Sequence, residues 1–269
     1  MPRGIENKVA IGTHTHILRP SLTSTNSNLG MVSDRVIKTL KAKSRQHQAD
    51  LKRLGVASED APLTANVMVL PQTSQVRGIN TVLVDPDVDR EDFIFYFDRL
   101  VGMLVEKATE AGVHFSPCRI NTPVPGETYD GLSADDEPSA VVILRGGSCL
   151  ETGLKRVIPD CRTGRLLIQS SARTGEPELH FYKLAPDIAQ HGCVLLLDPQ
   201  MSSGGAALMA VKVLLDHGVK EERIVFVTYL AGRRGLGRLM GCFPALRVVV
   251  GRLVDDEESR WVEQRYLGC

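Results

Sequence analysis

The feature that most limits the fold of this chain is a series of short apolar runs separated by segments of helical periodicity. The runs have the length of strands and are apolar at most positions, without the alternation of a half-exposed strand. They occupy residues 139–145, 164–170, 192–198, 223–230 and 246–253. Helical patterns lie between most of them, at 148–158, 204–217 and 233–241. Since strands buried on both faces and alternating with helices are typical of parallel sheets, the sequence predicts an α/β fold with helices on both faces.

Composition divides the chain into three parts. Residues 1–33 are rich in Ser, Thr and Asn and lack periodicity, which predicts a flexible N-terminal arm. Residues 34–59 predict a basic helical extension with a narrow apolar face. We expect this helix to pack on the body rather than to bind nucleic acid, because charged helix faces are usually solvated. Residues 60–269 are predicted to form one domain, since the composition does not change along them.

Charge and hydropathy exclude several classes of partner. The 269 residues include 32 Lys and Arg against 32 Asp and Glu, so the formal net charge is zero. Such a chain lacks the excess positive charge with which proteins hold nucleic acid or anionic membranes. No apolar run approaches the roughly 20 residues of a transmembrane helix, and a secretory signal is not expected. A cytoplasmic location is predicted, with a mitochondrial transit peptide as the alternative because the arm contains few acids.

The cysteines do not predict a metal site. They are Cys118, Cys149, Cys161, Cys193, Cys242 and Cys269. Their spacing includes no Cys-x-x-Cys pair or other arrangement typical of zinc ligands. Thiols of proteins without a secretory signal usually stay reduced. We therefore expect free thiols and no metal held by protein ligands alone.

The stretch LLLDPQMSSGGAALMAVKVLLDHG, at residues 195–218, carries the clearest chemical signal. Asp198 ends an apolar strand, and a helix begins near Ala206. The turn between them ends in two hydroxyls and two glycines, Ser202, Ser203, Gly204 and Gly205. Glycines allow close backbone approach, and a helix N-terminus offers free N–H groups to a phosphate. Ligands of parallel sheets bind at the carboxyl ends of strands, and Asp198 falls at such an end. Its carboxylate suits a ribose diol or a metal beside a phosphate. The stretch predicts a sugar-phosphate site.

Two other phosphate motifs are absent from this stretch. It lacks the Gly-x-x-x-x-Gly-Lys-Ser/Thr pattern of nucleoside triphosphatases. The Gly-x-Gly-x-x-Gly pattern of dinucleotide-binding folds is missing as well. The remaining alternative is an ordinary connection between a strand and a helix.

Residues 195–227 resemble uracil phosphoribosyltransferases, a branch of the type I phosphoribosyltransferase fold, whose loop usually reads Asp-Pro-Met-Leu-Ala-Thr-Gly-Gly-Ser. Further segments resemble the family in the family's order. They are residues 66–83, 91–106, 141–159 and 164–189. The resemblance covers roughly residues 60–253 and implies the type I phosphoribosyltransferase-like fold.

The resemblance also implies a reaction and its site residues. The substrate would be phosphoribosyl pyrophosphate with Mg²⁺; pyrophosphate leaves C1 of the ribose, and a pyrimidine nitrogen attacks. The catalytic residues would be Asp198, under the ribose, and Arg145, near the pyrophosphate. The residues expected at the 5′-phosphate are Ser202, Ser203, Gly204, Gly205 and Ala206. Further candidates for pyrophosphate binding are Gly146, Gly147 and Arg173.

Four features depart from the family pattern. The family has an arginine after the strand that ends near Gln169, but this chain has Ser170 there. The family has a serine at the position that Ala206 occupies in this chain. Residues 231–235 contain an arginine at a position where the family has an acid. The Pro-Gly-Leu-Gly-Asp element that reads uracil is missing after the last strand, and the acids at 255–258 are more typical of a solvated turn. These departures predict that binding of a phosphorylated ligand survives better than recognition of uracil.

We therefore expect phosphoribosyl transfer to uracil or a related acceptor in pyrimidine salvage, with weak activity on uracil itself. Two alternatives stay open. One is an inactive family member that acts as a ligand sensor or an assembly subunit. The other is a repurposed biosynthetic enzyme that acts on another diphosphate. Residues 71–80, which include Arg77, resemble the family's assembly region and predict a homodimer or a larger homo-oligomer.

Overall fold

A computed structural model of the chain describes residues 63–170, 176–254 and 260–268. The predicted arm at 1–33 and the basic helix at 34–59 lie outside these residues, so the division of the chain into three parts stays a prediction. The helices of the described ranges are α1 (Ser74–Val84), α2 (Arg90–Gly112), α3 (Glu151–Val157), α4 (Gly205–Asp216), α5 (Arg233–Cys242) and α6 (Val262–Leu267). None of them is long and apolar enough to cross a membrane.

The strands of the described ranges form one large sheet and a separate hairpin. They are β1 (Val67–Val69), β2 (Phe115–Asn121), β3 (Thr128–Ala134), β4 (Ser139–Leu144), β5 (Thr163–Ser170), β6 (Pro177–Lys183), β7 (Val194–Leu197), β8 (Gln200–Met201), β9 (Ile224–Gly232) and β10 (Arg247–Val254). The large sheet has the order β1-β10-β9-β7-β4-β5-β6, with β8 paired to β9. Its strands pair in parallel except for β5 with β6. The predicted parallel sheet is confirmed.

Both faces of the sheet are covered by apolar packing, which confirms helices on both sides. Alternate residues of a single strand enter opposite layers, as the pleat requires. In β9, Ile224 and Phe226 belong to the layer that contains residues of α4 and α5. Their neighbours Val225 and Val227 belong to the layer that contains residues of α1, α2 and α3. The burial of both faces explains why these strands read as continuous apolar runs.

Helix α2 shows how local sequence and core packing agree. Asp89 caps its N-terminus by accepting a hydrogen bond from the Asp92 backbone N–H at 2.8 Å. Such a cap satisfies one of the N–H groups that a helix leaves unpaired at its start. Phe93 and Phe97, one turn apart on the buried face, stack with ring centroids 5.8 Å apart. The helix therefore provides a fixed platform on one face of the sheet.

Two elements differ from what local sequence predicts. The prolines, glycines and acids of residues 121–139 favour a loop or a small flap, but β3 lies within this range and pairs with β2 as an antiparallel hairpin. The edge strand β6, which has no apolar run, was not predicted. Polar strands escape detection by hydropathy because tertiary pairing, not burial, gives them their conformation. The segment 71–80 that was linked to assembly ends within α1, where Arg77 is exposed.

Candidate active site

The candidate residues lie at one edge of the large sheet, where parallel strands end. Asp198 directly follows β7, and its backbone N–H donates to the Val227 carbonyl of β9 at 3.2 Å. Arg145 directly follows β4, which pairs in parallel with β7. The structure therefore brings together two groups that are 53 positions apart in the chain. This is the location where ligands of open parallel sheets bind.

The loop at 202–206 has the geometry of an open helix N-terminus. Gly204 has a φ of +76°, in the left-handed region, and α4 begins at Gly205. Gly204 has no side chain to cap the helix, and no other side chain of the described residues caps it. The first N–H groups of α4 therefore suit a ligand. Arg238 of α5 supports the loop from behind by donating to the Ser203 carbonyl at 2.6 Å, while Ser203 itself is exposed. These features fit a phosphate.

The turn after β4 carries Arg145, Gly146 and Gly147. Arg145 has an exposed side chain, and the peptide bond from Leu144 to Arg145 is cis. Both glycines are buried in the 3₁₀ turn Gly146–Leu150. A Cβ on Gly147 would overlap the Leu197 carbonyl oxygen, so close packing against β7 excludes a side chain there. Arg173, the third candidate for pyrophosphate binding, lies outside the described residues.

Two charged residues that sequence reasoning missed reach this corner from the C-terminal segment. Arg260 donates from Nη2 to Asp198 Oδ1 at 2.7 Å, and Glu263 Oε1 lies 3.6 Å from Arg145 Nε. The charge of Asp198 raises the pKa of the Arg260 guanidinium. No local signal could have revealed these pairs, because their partners are more than 60 residues away and no motif surrounds Arg260. The acids at 255–258, whose sequence pattern is typical of a solvated turn, lie outside the described residues.

Helix α6 is fastened to the body by polar contacts. The Trp261 backbone N–H donates to the buried Gln200 Oε1 at 3.0 Å. Arg265 donates to the carbonyl of Asp85 at 2.7 Å, and the hydroxyl of Tyr266 donates to Asp98 Oδ1 at 2.9 Å. These contacts hold the backbone next to Arg260 in one position.

Asp98, the acceptor of the Tyr266 bond, is itself buried. Burial raises the pKa of the Asp98 carboxyl, and the bond from Tyr266 and the charge of Arg156 oppose that rise. The carboxylate is therefore less stable inside the fold than in water, in spite of its two partners.

A cavity of about 160 Å³ lies between the ends of β4, β5 and β7. Its polar lining consists of Arg145, Gly146, Gln169, Asp198, Arg260 and Glu263. Pockets for small ligands usually enclose about 300–1,000 Å³. The head groups of Arg260 and Glu263 contribute to this small volume because they project into the corner beside Asp198 and Arg145.

In the part of the chain that the structure describes, the corner fits Mg²⁺ as an ion that arrives with a ligand. Within the described residues, no group of three or more His, Cys, Asp or Glu is placed to bind a metal ion. Asp198 is a single carboxylate at the strand end, and its Oδ1 already accepts from Arg260. Since Mg²⁺ is often held by one or two carboxylates together with substrate phosphates and water, the donor set fits an ion that arrives with a diphosphate.

Comparison with known proteins identifies the family of this chain. Residues 69–260 match the family model described as uracil phosphoribosyltransferase. The uracil phosphoribosyltransferase of Lachancea kluyveri is 38% identical over 190 residues, which cover 70% of this chain and 86% of that protein. The solved structure of the AQ2163 protein from Aquifex aeolicus superposes with a TM-score of 0.63 at 22% identity, covering 74% of this chain and 97% of that one.

Longer proteins are similar to this chain as well. The uridine kinase of Saccharomyces cerevisiae is 34% identical over 265 residues, which cover 93% of this chain but 52% of that protein. For uridine-cytidine kinase-like 1 of Mus musculus the identity is 39%, over 76% of this chain and 37% of that protein. This chain thus spans about half of these kinase relatives or less. The family model covers most of the chain, and the chain belongs to the uracil phosphoribosyltransferase family.

Proposed function

We propose that this chain binds phosphoribosyl pyrophosphate and transfers its phosphoribosyl group to uracil or a related pyrimidine. The observation that carries the proposal is the open N-terminus of α4 beside a buried carboxylate at the end of β7. Family membership supports the same conclusion. Each part of the proposed substrate has a counterpart in this corner of the sheet.

The 5′-phosphate binds the loop at 202–206 in this proposal. The N–H groups at the start of α4 donate to phosphate oxygens, and the helix dipole favours the negative charge. The exposed hydroxyl of Ser203 adds one donor. Most of the contacts come from the backbone, so they depend on the conformation of Gly204 more than on any side chain.

The ribose hydroxyls donate to the carboxylate of Asp198, and the diphosphate lies near Arg145. A guanidinium suits a diphosphate because it presents several donors and keeps its charge. Mg²⁺, when bound with the diphosphate, supplies further neutralisation of the leaving group's charge.

The reaction requires little covalent participation from the protein. The bond from C1 of the ribose to the diphosphate oxygen breaks, and its electron pair leaves with the diphosphate. A pyrimidine nitrogen forms the new bond to C1 and loses its proton to solvent. Asp198 and Arg145 contribute by positioning the ribose and stabilising the charge that leaves.

The test is formation of UMP by the purified chain with phosphoribosyl pyrophosphate, Mg²⁺ and uracil, followed by chromatography. We expect binding of phosphoribosyl pyrophosphate and turnover below about 1 s⁻¹, the low end of the usual enzyme range. Turnover should disappear in Asp198→Asn, which removes the charge under the ribose. A chain that neither binds phosphoribosyl pyrophosphate nor forms UMP would contradict the proposal.

A second function, that of a ligand sensor without transferase activity, is favoured by one observation. Asp198 is already paired with Arg260, so its carboxylate is engaged before any ligand arrives. Binding of phosphoribosyl pyrophosphate without UMP formation, for uracil and for a panel of other pyrimidines, would select this function. A cytoplasmic location and a homo-oligomeric assembly stay predictions.

A further inference from the structure

We propose that Arg260 determines ligand specificity by occupying the place of the ribose hydroxyls on Asp198, so that only a ligand with an anionic group at C1 displaces it efficiently. The identity of the ligand as a phosphoribosyl compound rests on the proposed function. The role of Arg260 rests on the contacts of the C-terminal segment.

The first observation is the asymmetry of the ion pair. The Asp198 side chain is 3% exposed and that of Arg260 is 42% exposed. The guanidinium therefore reaches the carboxylate from the open side of the corner. A ribose must approach Asp198 from this same side, because the protein covers the carboxylate elsewhere. Ligand and guanidinium compete for one carboxylate.

The second observation is that the neighbouring cation is engaged by the same segment. Glu263 approaches Arg145, the group proposed for the diphosphate, at 3.6 Å. A Cβ placed on Gly146 would lie 3.1 Å from Glu263 Oε2 and 3.2 Å from Arg260 Nη2. Both head groups thus lie over the turn after β4. Asp198 and Arg145, the two charged residues proposed to bind a phosphoribosyl diphosphate, are therefore both paired within the protein. Their partners, Arg260 and Glu263, are three positions apart in the chain.

The third observation concerns how the pair can open. The backbone beside Arg260 is held by the bond from Trp261 N to Gln200 Oε1, and α6 is held by Arg265 and Tyr266. Displacing the guanidinium therefore does not require α6 to detach. The partly exposed Arg260 side chain can rotate towards solvent while the fold stays intact, since rotamer changes of exposed side chains are fast.

The selectivity follows from charge. Neutral ribose hydroxyls make weaker hydrogen bonds to a carboxylate than a guanidinium does. A ligand that offers only hydroxyls and a 5′-phosphate takes Asp198 from Arg260 and gives the guanidinium no anionic group in exchange. A ligand with a diphosphate at C1 gives the displaced guanidinium a new partner, because arginine binds phosphate oxygens in a bidentate manner. Arg260 thus disfavours ribose 5-phosphate relative to phosphoribosyl pyrophosphate.

The experiment measures the dissociation constants of ribose 5-phosphate and of phosphoribosyl pyrophosphate with Mg²⁺ by calorimetric titration. Arg260→Gln should bind ribose 5-phosphate about tenfold tighter than the unaltered chain, because the loss of a charge-assisted bond removes the competitor. Binding of phosphoribosyl pyrophosphate should change by less than about threefold. The variant loses the guanidinium that competes for Asp198, but it also loses the contact of that guanidinium with the diphosphate. Arg260→Lys keeps a cation and should retain most of the discrimination.

The matched control is Arg162→Gln. Arg162 pairs with Asp187 at 3.0 Å, next to the amino end of β5 and away from the site. This variant should bind both ligands as the unaltered chain does. Circular dichroism of each variant establishes that it is folded before titration.

Two outcomes would overturn the inference in distinguishable ways. Equal or weaker binding of ribose 5-phosphate by a folded Arg260→Gln variant would show that Arg260 is not a competitor, with the proposed function untouched. Binding of neither ligand to any folded variant would refute the proposed function, and the inference with it.

Discussion

The two halves of the candidate site differ in how much of their binding capacity is already used within the protein. At the loop of residues 202–206, the first N–H groups of α4 point away from the helix and no side chain of Gly204 covers them. At the corner of Asp198 and Arg145, both charges are paired with the C-terminal segment. One half is ready for a ligand, and the other must exchange partners before it can bind one.

In the proposed function, this difference separates the source of affinity from the source of specificity. The loop can bind any phosphate that reaches it, because backbone donors do not distinguish what the phosphate is attached to. The corner tests the rest of the ligand, because its groups are released only to a ligand that replaces their present partners.

The largest effect should come from the loop. Gly204→Val should weaken binding of ribose 5-phosphate by about a hundredfold or more, because a β-branched residue rarely adopts a positive φ. Gly204 has a φ of +76°, and a Cβ there would lie 3.0 Å from the Gly235 carbonyl oxygen. Titration of the folded variant measures the loss. Gly237→Val is the control, since a Cβ on Gly237 meets nothing within 4 Å; unchanged binding in Gly204→Val would make the loop a connector only.

Removal of the ion pair in the corner should lower the stability of the fold. Arg260→Ala leaves the buried Asp198 carboxylate without its 2.7 Å partner. We expect the free energy of unfolding in urea to fall by about 1–3 kcal/mol, the usual cost of an unsatisfied buried group. The double variant Arg260→Ala with Asp198→Asn should recover part of this loss. Equal stability of Arg260→Ala and the unaltered chain would show that the ion pair does not stabilise the fold.

A smaller effect should follow from removing one hydroxyl in the loop. Ser203→Ala should weaken ribose 5-phosphate binding about three- to tenfold, which corresponds to one neutral hydrogen bond of about 0.5–1.5 kcal/mol. The backbone donors stay in place, so most of the affinity should remain. A loss as large as that of Gly204→Val would mean that side chains, and not the open helix N-terminus, bind the phosphate.

The smallest effect concerns the fastening of the C-terminal segment. Since burial raises the pKa of Asp98 in the folded state, its contribution to stability is fully present below the unfolded pKa and is lost as pH rises through the folded pKa. Asp98→Asn, which can still accept from Tyr266, should therefore gain stability relative to the unaltered chain as pH rises from about 3 to 7. Urea unfolding at several pH values measures the difference. A constant difference across this range would contradict the raised pKa.

The sequence predicted the loop half of the site better than the corner half. Residues 202–206 follow closely after the apolar run that ends at Asp198, so local pattern was enough to place this loop between a strand and a helix. The apolar run at 139–145 placed Arg145 at a strand end, but its role in the site was predicted from the resemblance to the family. The sequence did not predict the hairpin of β2 and β3 or the edge strand β6. Exposed strands such as these have neither a continuous apolar run nor a regular alternation of apolar and polar residues.

Local sequence is enough to predict the parallel sheet, the strand end at Asp198 and the glycine turn before α4, since each depends on the order of neighbouring residues. The pairing of Arg260 with Asp198 and of Glu263 with Arg145 depends on how the chain packs in three dimensions. Electrostatic attraction acts through space, and 61 residues separate Asp198 from Arg260 in the printed sequence. The ion pair forms because Trp261, Arg265 and Tyr266 fasten the C-terminal segment beside the site, and this placement is a property of the packed fold alone.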